Sequence, residues 1–229
     1  MSSDRGQVRR LIAEGVVIVA SILLAFGLDA WWDATQQSRE TADLLAALDE
    51  EFALAAEELE GTLFGHRMVV ESADTILGRL RAGRGRVPAG WLYWVLDAPT
   101  SDLNQGTLAA LIASGRFEQV PSQQLRTHLA AWPAAVEDFQ EEEAEARDFV
   151  RRELMPYLSE VVEIGTALRA GRLNRPDATG DVAVPASPRL INLIEIRRFL
   201  AQRVITERGQ AQIDVRLDQV RRELQTHMR

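Results

Sequence analysis

Residues 11–32 read LIAEGVVIVASILLAFGLDAWW, and no glycine or proline follows until Gly61. From Gly15 to Leu28 there is no charge. As a helix those fourteen residues cover about 21 Å, short of a hydrocarbon core of roughly 30 Å. The longer stretch Leu11–Trp32 covers about 33 Å and is enough to span. It places Glu14 one turn inside the start and Asp29 one turn before the end. Trp31 and Trp32 then stand as interfacial anchors. A cleaved signal peptide competes, because a basic start and an apolar stretch suit one, and Ala25-Phe26-Gly27 offers a small-x-small site. The direct passage into a charged helical pattern favours an uncleaved anchor.

Orientation follows from arginine bias. Arg5, Arg9 and Arg10 precede the stretch, whereas only Arg39 lies close behind it. The positive-inside rule puts residues 1–10 in the cytoplasm and the rest on the outer side of a bacterial inner (plasma) membrane, in the periplasm.

Beyond the span the pattern is helical. Leu45, Leu48, Phe52, Ala55 and Leu59 follow spacings of three and four, the seam of a helix packed on partners. The seam resumes at Leu63, Val70, Ala73, Leu77 and Leu80, with Gly61 and Gly65 predicted to interrupt it. Residues 33–82 therefore read as a helical stalk and residues 83–229 as a helical outer domain. Ala82–Gly90 reads as a loop and Gln105–Ser114 as a short helix. Ser122 caps a further helix, Pro133 opens the next one, and that helix reaches about Tyr157. Residues 171–188 (GRLNRPDATGDVAVPASP) form the long irregular stretch, from which Arg172, Arg175, Pro176 and Pro185 are singled out as a strap for a partner. Ser187 and Pro188 then start a last helix reaching Gln225. No alternating strand is evident. The fold class is all-α.

Composition removes much chemistry. The chain of 229 residues has no cysteine, and all 26 of its Lys+Arg residues are arginine. Disulfides, thiolate zinc sites, iron–sulfur clusters, Schiff-base lysines and a P-loop lysine are excluded. His66, His128 and His227 are widely separated and form no ligand cluster, and residues 1–65 contain no histidine or cysteine, so the span offers no obvious axial ligand for haem. No catalytic, metal or cofactor-binding residue is assigned, and no cofactor is expected. The formal net charge is −8, with an acidic middle and a basic end: residues 33–170 carry 12 arginines and 24 acids, and residues 171–229 carry 11 arginines and 7 acids. The basic end is expected to pack beside the acidic helices. An acidic outer domain argues against nucleic acid.

Two stretches carry a resemblance. LLAFGLDAWWD (Leu23–Asp33) and TLAALIASGRFEQVPSQQLRTHLAAW (Thr107–Trp132) resemble a large, functionally uncharacterised bacterial family of short proteins with one N-terminal span and a helical outer domain. The resemblance implies architecture and location and supplies no catalytic residue.

The remaining clusters have plain readings. Glu141-Glu142-Glu143 with Glu145 and Asp148 reads as a solvated helix face, because consecutive helical residues fan outward. Asp49-Glu50-Glu51 and Glu57-Glu58-Glu60 read the same way. His66 lies on the seam side and reads as a packed histidine, and His128 as half exposed. Trp91, Tyr93 and Trp94 are core or a docking patch. Within the span, Ser21, Ala25 and Asp29 lie at about −20°, +20° and +60° from Glu14. That side is the candidate helix-docking face, since small residues admit a neighbour and intramembrane acids face protein or water. The function expected is non-enzymatic: an accessory or structural subunit of a larger membrane complex, with bioenergetic assemblies, photosynthetic or respiratory, as first hosts. Its partners are other membrane subunits and the bilayer. A self-associating periplasmic scaffold or sensor is the alternative.

Overall fold

In the computed structural model, residues 3–172, 180–206 and 210–228 are described, with side chains from Val19 onward apart from Ala20, Arg172 and 210–212. The chain divides into two compact units, one built from residues 1–47 and the other from 48–227. Helix α1 is Ser3–Arg81 and contributes to both. The protein is mostly helical, as the periodicity predicts.

In the first unit, the apolar side chains from Val19 to Trp32 are exposed around the helix. Among the described residues, no helix is long and apolar enough to cross a membrane. Side chains 11–18 of the expected span lie outside those described.

The second unit is organised by the seam of α1. Leu48, Phe52, Ala55, Leu59, Leu63, Val69, Ala73, Leu77 and Leu80 are all buried. The helix runs through Gly61 and Gly65 without a break, because the buried faces on either side hold it. Gly65 has its own reason: a Cβ there would stand 2.6 Å from Pro99 Cγ. Val69 rather than Val70 occupies the seam, with Val70 half-buried.

After α1 comes β1 (Arg86–Pro88), inside the segment expected to be loop, and α2 (Ala89–Leu96) follows. β1 pairs antiparallel with β2 (Asp181–Ala183), matching Arg86 to Ala183 and Val87 to Val182. Three-residue strands are too short to show a two-residue period, so the sequence concealed them. Val182 and Val184 join the core cluster of α1 and α2, so this end of the irregular stretch belongs to the domain.

Helix α3 (Gly106–Ala113) is followed by a 3-10 turn at Arg116–Gln119 and by α4 (Gln123–Phe149). Ser122 caps α4, its Oγ accepting from the Leu125 N–H at 3.1 Å. Pro133 does not open a helix; it sits inside α4. It removes one hydrogen bond from the ladder, yet Trp132 and Val136 beside it are buried and Trp132 meets Phe52 at 5.0 Å between ring centroids. Packing outweighs the lost bond. A π-helical turn at Val150–Leu154 leads into α5 (Met155–Val161), and α6 (Ile164–Arg172) follows. At Gly171 a Cβ would collide with the Tyr93 ring, so glycine lets α6 meet α2.

The expected last helix is two, α7 (Pro188–Ile205) and α8 (Gln210–His227). Ser187 caps α7 as expected, accepting from the Leu190 N–H at 3.2 Å. Both α7 and α8 pack on α4.

Candidate functional site

Residues 97–105 (DAPTSDLNQ) connect α2 to α3 as a strap without helix or strand. Charged side chains from three helices hold it, and each sits in or beside an apolar seam.

At the carbonyl end stands Arg197 of α7, fully buried between Ile194 and Leu200. Its Nε donates to the Val95 carbonyl at 3.1 Å and its Nη2 to the Asp97 carbonyl at 2.7 Å. These are carbonyls at the C-terminus of α2, where the helix dipole welcomes a cation. Its Nη1 is buried without a protein partner. Burial lowers its pKa to about 10, and the Asp97 carboxylate works against that shift. Burial likewise raises the pKa of Asp97, which the Ala98 N–H and Arg197 oppose.

His66 of α1 lies in the middle, fully buried beside the strap. Neither ring nitrogen completes a hydrogen bond. Burial and the nearby Arg197 charge lower its pKa to about 4, with the Pro99 backbone opposing them. The histidine is packed and neutral.

At the amide end stands Glu143 of α4, 2% exposed. It occupies the position between Phe139 and Ala146 that the helix period reserves for a core residue. The Ser101 N–H donates to Oε1 at 3.1 Å and to Oε2 at 3.0 Å, and the Ser101 hydroxyl donates to Oε2 at 3.1 Å. Burial pushes its pKa up to about 7, the Ser101 bonds and Arg147 opposing and Glu58 adding to the rise. Next to it, Glu58 of α1 accepts from the Asp102 N–H at 3.4 Å. Glu51, two turns earlier on the same side, accepts the Thr107 N–H at 2.5 Å and the Leu108 N–H at 3.2 Å. The Asn104 side chain takes the Gly106 N–H at 3.0 Å, so the exposed amides at the start of α3 are satisfied without a capping bond from Gln105.

Beside Glu143 opens a cavity of about 420 Å³, lined by Thr100, Ser101, Glu137, Gln140, Glu141 and Arg147 among others. It holds no group of three His, Asp or Glu side chains suited to a metal ion, nor does any other place among the described residues.

This arrangement corrects the acidic clusters. They are not simply solvated faces: Glu143, Glu58 and Glu51 fasten backbone. Their neighbours Glu142 and Glu145 pair with Arg203 of α7 at 2.5 and 2.9 Å. Arg198 of α7 pairs with Asp74 of α1, so the basic end does meet acidic helices, and Glu195 of α7 pairs back to Arg81 with the signs reversed. The missed signal was a charged residue at a core position of a three-four seam. Glu143 and Arg197 both carry it, whereas His66 is the packed histidine its seam position predicts.

The other singled-out residues lie away from the strap or outside the described residues. Ser21, Ala25, Asp29, Trp31 and Trp32 are exposed, and the side chain of Glu14 lies outside the described residues. Arg175 and Pro176 lie outside the described residues altogether, the side chain of Arg172 likewise, and Pro185 is half-buried after β2. Trp91, Tyr93 and Trp94 are half-buried and engaged within the domain. Arg79 stands over Trp91 at 5.2 Å, and Phe64 meets Trp94 edge-on at 6.3 Å. His128 is half-buried.

Comparison with protein-family models, with curated proteins and with solved structures finds no match.

Proposed function

We propose that this chain is a non-catalytic accessory or structural subunit of a larger membrane complex, anchored by the span Leu11–Trp32 with its outer domain in the periplasm. One observation carries the proposal. Val19, Ile22, Leu23, Leu24, Phe26, Leu28, Trp31 and Trp32 are all exposed on one helix. Apolar side chains on every side of a helix call for an apolar surrounding, and lipid with a neighbouring helix supplies it. Side chains of that span are described from Val19 onward, and the sequence supplies the apolar residues of Leu11–Ile18 before it. The arginine bias gives the orientation, and Glu14, Ser21, Ala25 and Asp29 mark the side of the span turned to the host. The resemblance of Leu23–Asp33 and Thr107–Trp132 to single-span bacterial proteins points the same way. Bioenergetic complexes are the hosts to test first.

The charged groups of the strap support the non-catalytic part. Most of their hydrogen bonds go to backbone N–H and C=O groups, and the one hydroxyl among them, Ser101, is held by Glu143 within the strap's own anchorage.

A periplasm-active reporter fused after Arg229 is expected to be active, and a native gel in mild detergent to show the chain migrating with a large complex. A cytoplasmic C-terminus overturns the topology. A discrete small oligomer replaces the subunit with a self-associating periplasmic scaffold or sensor.

A further inference from the structure

We propose that the 97–105 strap is a proton-operated latch: uptake of a proton by Glu143 fastens its Ser101 end, and release of that proton frees it. The proposal is independent of the host and of the membrane.

Three features of the geometry lead to it. First, the two ends of the strap are held differently. Arg197 grips the carbonyls of Val95 and Asp97 with a group that stays charged through the physiological range. Ser101 is gripped by a carboxylate that must be dry to reach it. Second, the surroundings of Glu143 are mostly acidic. Glu58 approaches from α1, Glu137 and Glu141 line the same cavity on α4, and Arg147 is the one cation there among the described residues. A like charge and low dielectric both disfavour the ionised form. Third, the cavity lies on the strap's own side, walled by Thr100 and Ser101. It gives the carboxylate a route to water and the strap a place to move.

Protonated, Glu143 keeps an acceptor oxygen for the Ser101 N–H and gains an O–H to offer the Ser101 hydroxyl. Its desolvation cost falls while the bonds persist. Ionised, it is better hydrated in the cavity than buried, and Ser101 leaves with it. The sign follows from the raised pKa: the closed strap holds its proton up to pH about 7. An open strap releases it near the ordinary glutamate value. Closure is therefore strongest in acid and weakens as pH rises, with no further change above pH about 7.

Hydrogen exchange of the Ser101 and Asp102 amides tests this on the full chain in mild detergent, expressed as protection factors to remove the intrinsic pH dependence. In the wild type, protection is expected to fall roughly ten-fold per pH unit between pH about 5 and 7, then level. Glu143→Gln, a neutral mimic of the protonated acid, should hold the same amides at the wild-type acid value at every pH. Ser101→Ala changes only the strap, so it reports even where the glutamine variant fails to fold. Loss of the hydroxyl that favours the ionised form should move the midpoint up in pH. Parallel curves for the wild type and Glu143→Gln, or an unmoved midpoint in Ser101→Ala, overturn the latch.

Discussion

Helix α1 holds two regions of opposite character within one secondary structure. From Val19 to Trp32 its apolar side chains are exposed, with Phe26 at 67%. From Leu48 to Leu80 a stripe of apolar residues keeps a three-four spacing and is buried, with Phe52 at 1%, while Leu54 and Phe64 off that stripe are exposed. Both regions are good helix, so propensity does not separate them. Pattern does: an apolar stripe is solved by partner helices of the same chain, whereas apolarity all round is not. A large apolar side chain gains about 1.5–3 kcal/mol on burial. The second region collects that gain within its own domain, and the first leaves it to be gained from lipid or another protein.

The largest expected break in this comparison is Phe52→Ala. Its ring packs against Trp132 at 5.0 Å, and both are fully buried. Truncation opens a cavity where neither α1 nor α4 can close in, so the second unit should lose about 3–5 kcal/mol. Urea unfolding of the full chain, followed by tryptophan fluorescence, measures it. A loss below about 1 kcal/mol, the range of well-tolerated core changes, would mean that α1 and α4 can repack around the hole.

Next in size is acid sensitivity, which sharpens the contrast because buried titratable groups sit in the second region. His66 has a folded pKa lowered to about 4. Stability from its neutral form is present above the unfolded value near 6.5 and is lost as pH falls through 4. The span between those values corresponds to about 3 kcal/mol. Glu143 runs the other way, gaining stability as pH falls from about 7. In the wild type the two slopes largely cancel across pH about 4.5–6.5. His66→Gln should therefore grow more stable relative to wild type as the pH is lowered through that range. A stability difference between the two that stays constant with pH would show that His66 is not buried neutral in solution.

Much of the second region was legible in the sequence. Periodicity found the core of α1, and Ser122 and Ser187 announced their helices because an N-cap needs only a local hydroxyl. Three kinds of information were hidden. Pro133 reads locally as a helix start, and only the burial of Trp132 and Val136 explains its place inside α4. β1 and β2 are joined by a register across residues 86–183, which no local window contains. The strap was missed because acids in a row look like solvent. Yet Glu143 falls on the Phe139–Ala146–Val150 stripe and Arg197 on the Leu190–Ile194–Leu200 stripe. A charged residue in phase with a core was the signal, and its partner, a run of backbone with unspent N–H and C=O groups, was distant in sequence.

The smallest expected effect is the same substitution at the other end of the helix, Phe26→Ala. It removes the same ring from the same helix as Phe52→Ala, but from a side chain with little of its own chain around it. No cavity can form where there was no enclosure, so the only intrinsic change is helix propensity, and alanine is the better helix former. The second unit should unfold at an unchanged urea midpoint, within about 0.5 kcal/mol of wild type. What changes is affinity for the apolar surrounding, because a phenylalanine that faces lipid or a partner helix contributes there instead. The extractability of the chain from membranes by alkaline carbonate reads that second quantity separately. An unchanged midpoint with easier extraction leaves the comparison standing. A midpoint lowered by as much as in Phe52→Ala would mean that Phe26 is enclosed by protein of this chain, and the division of α1 into two regions would fall.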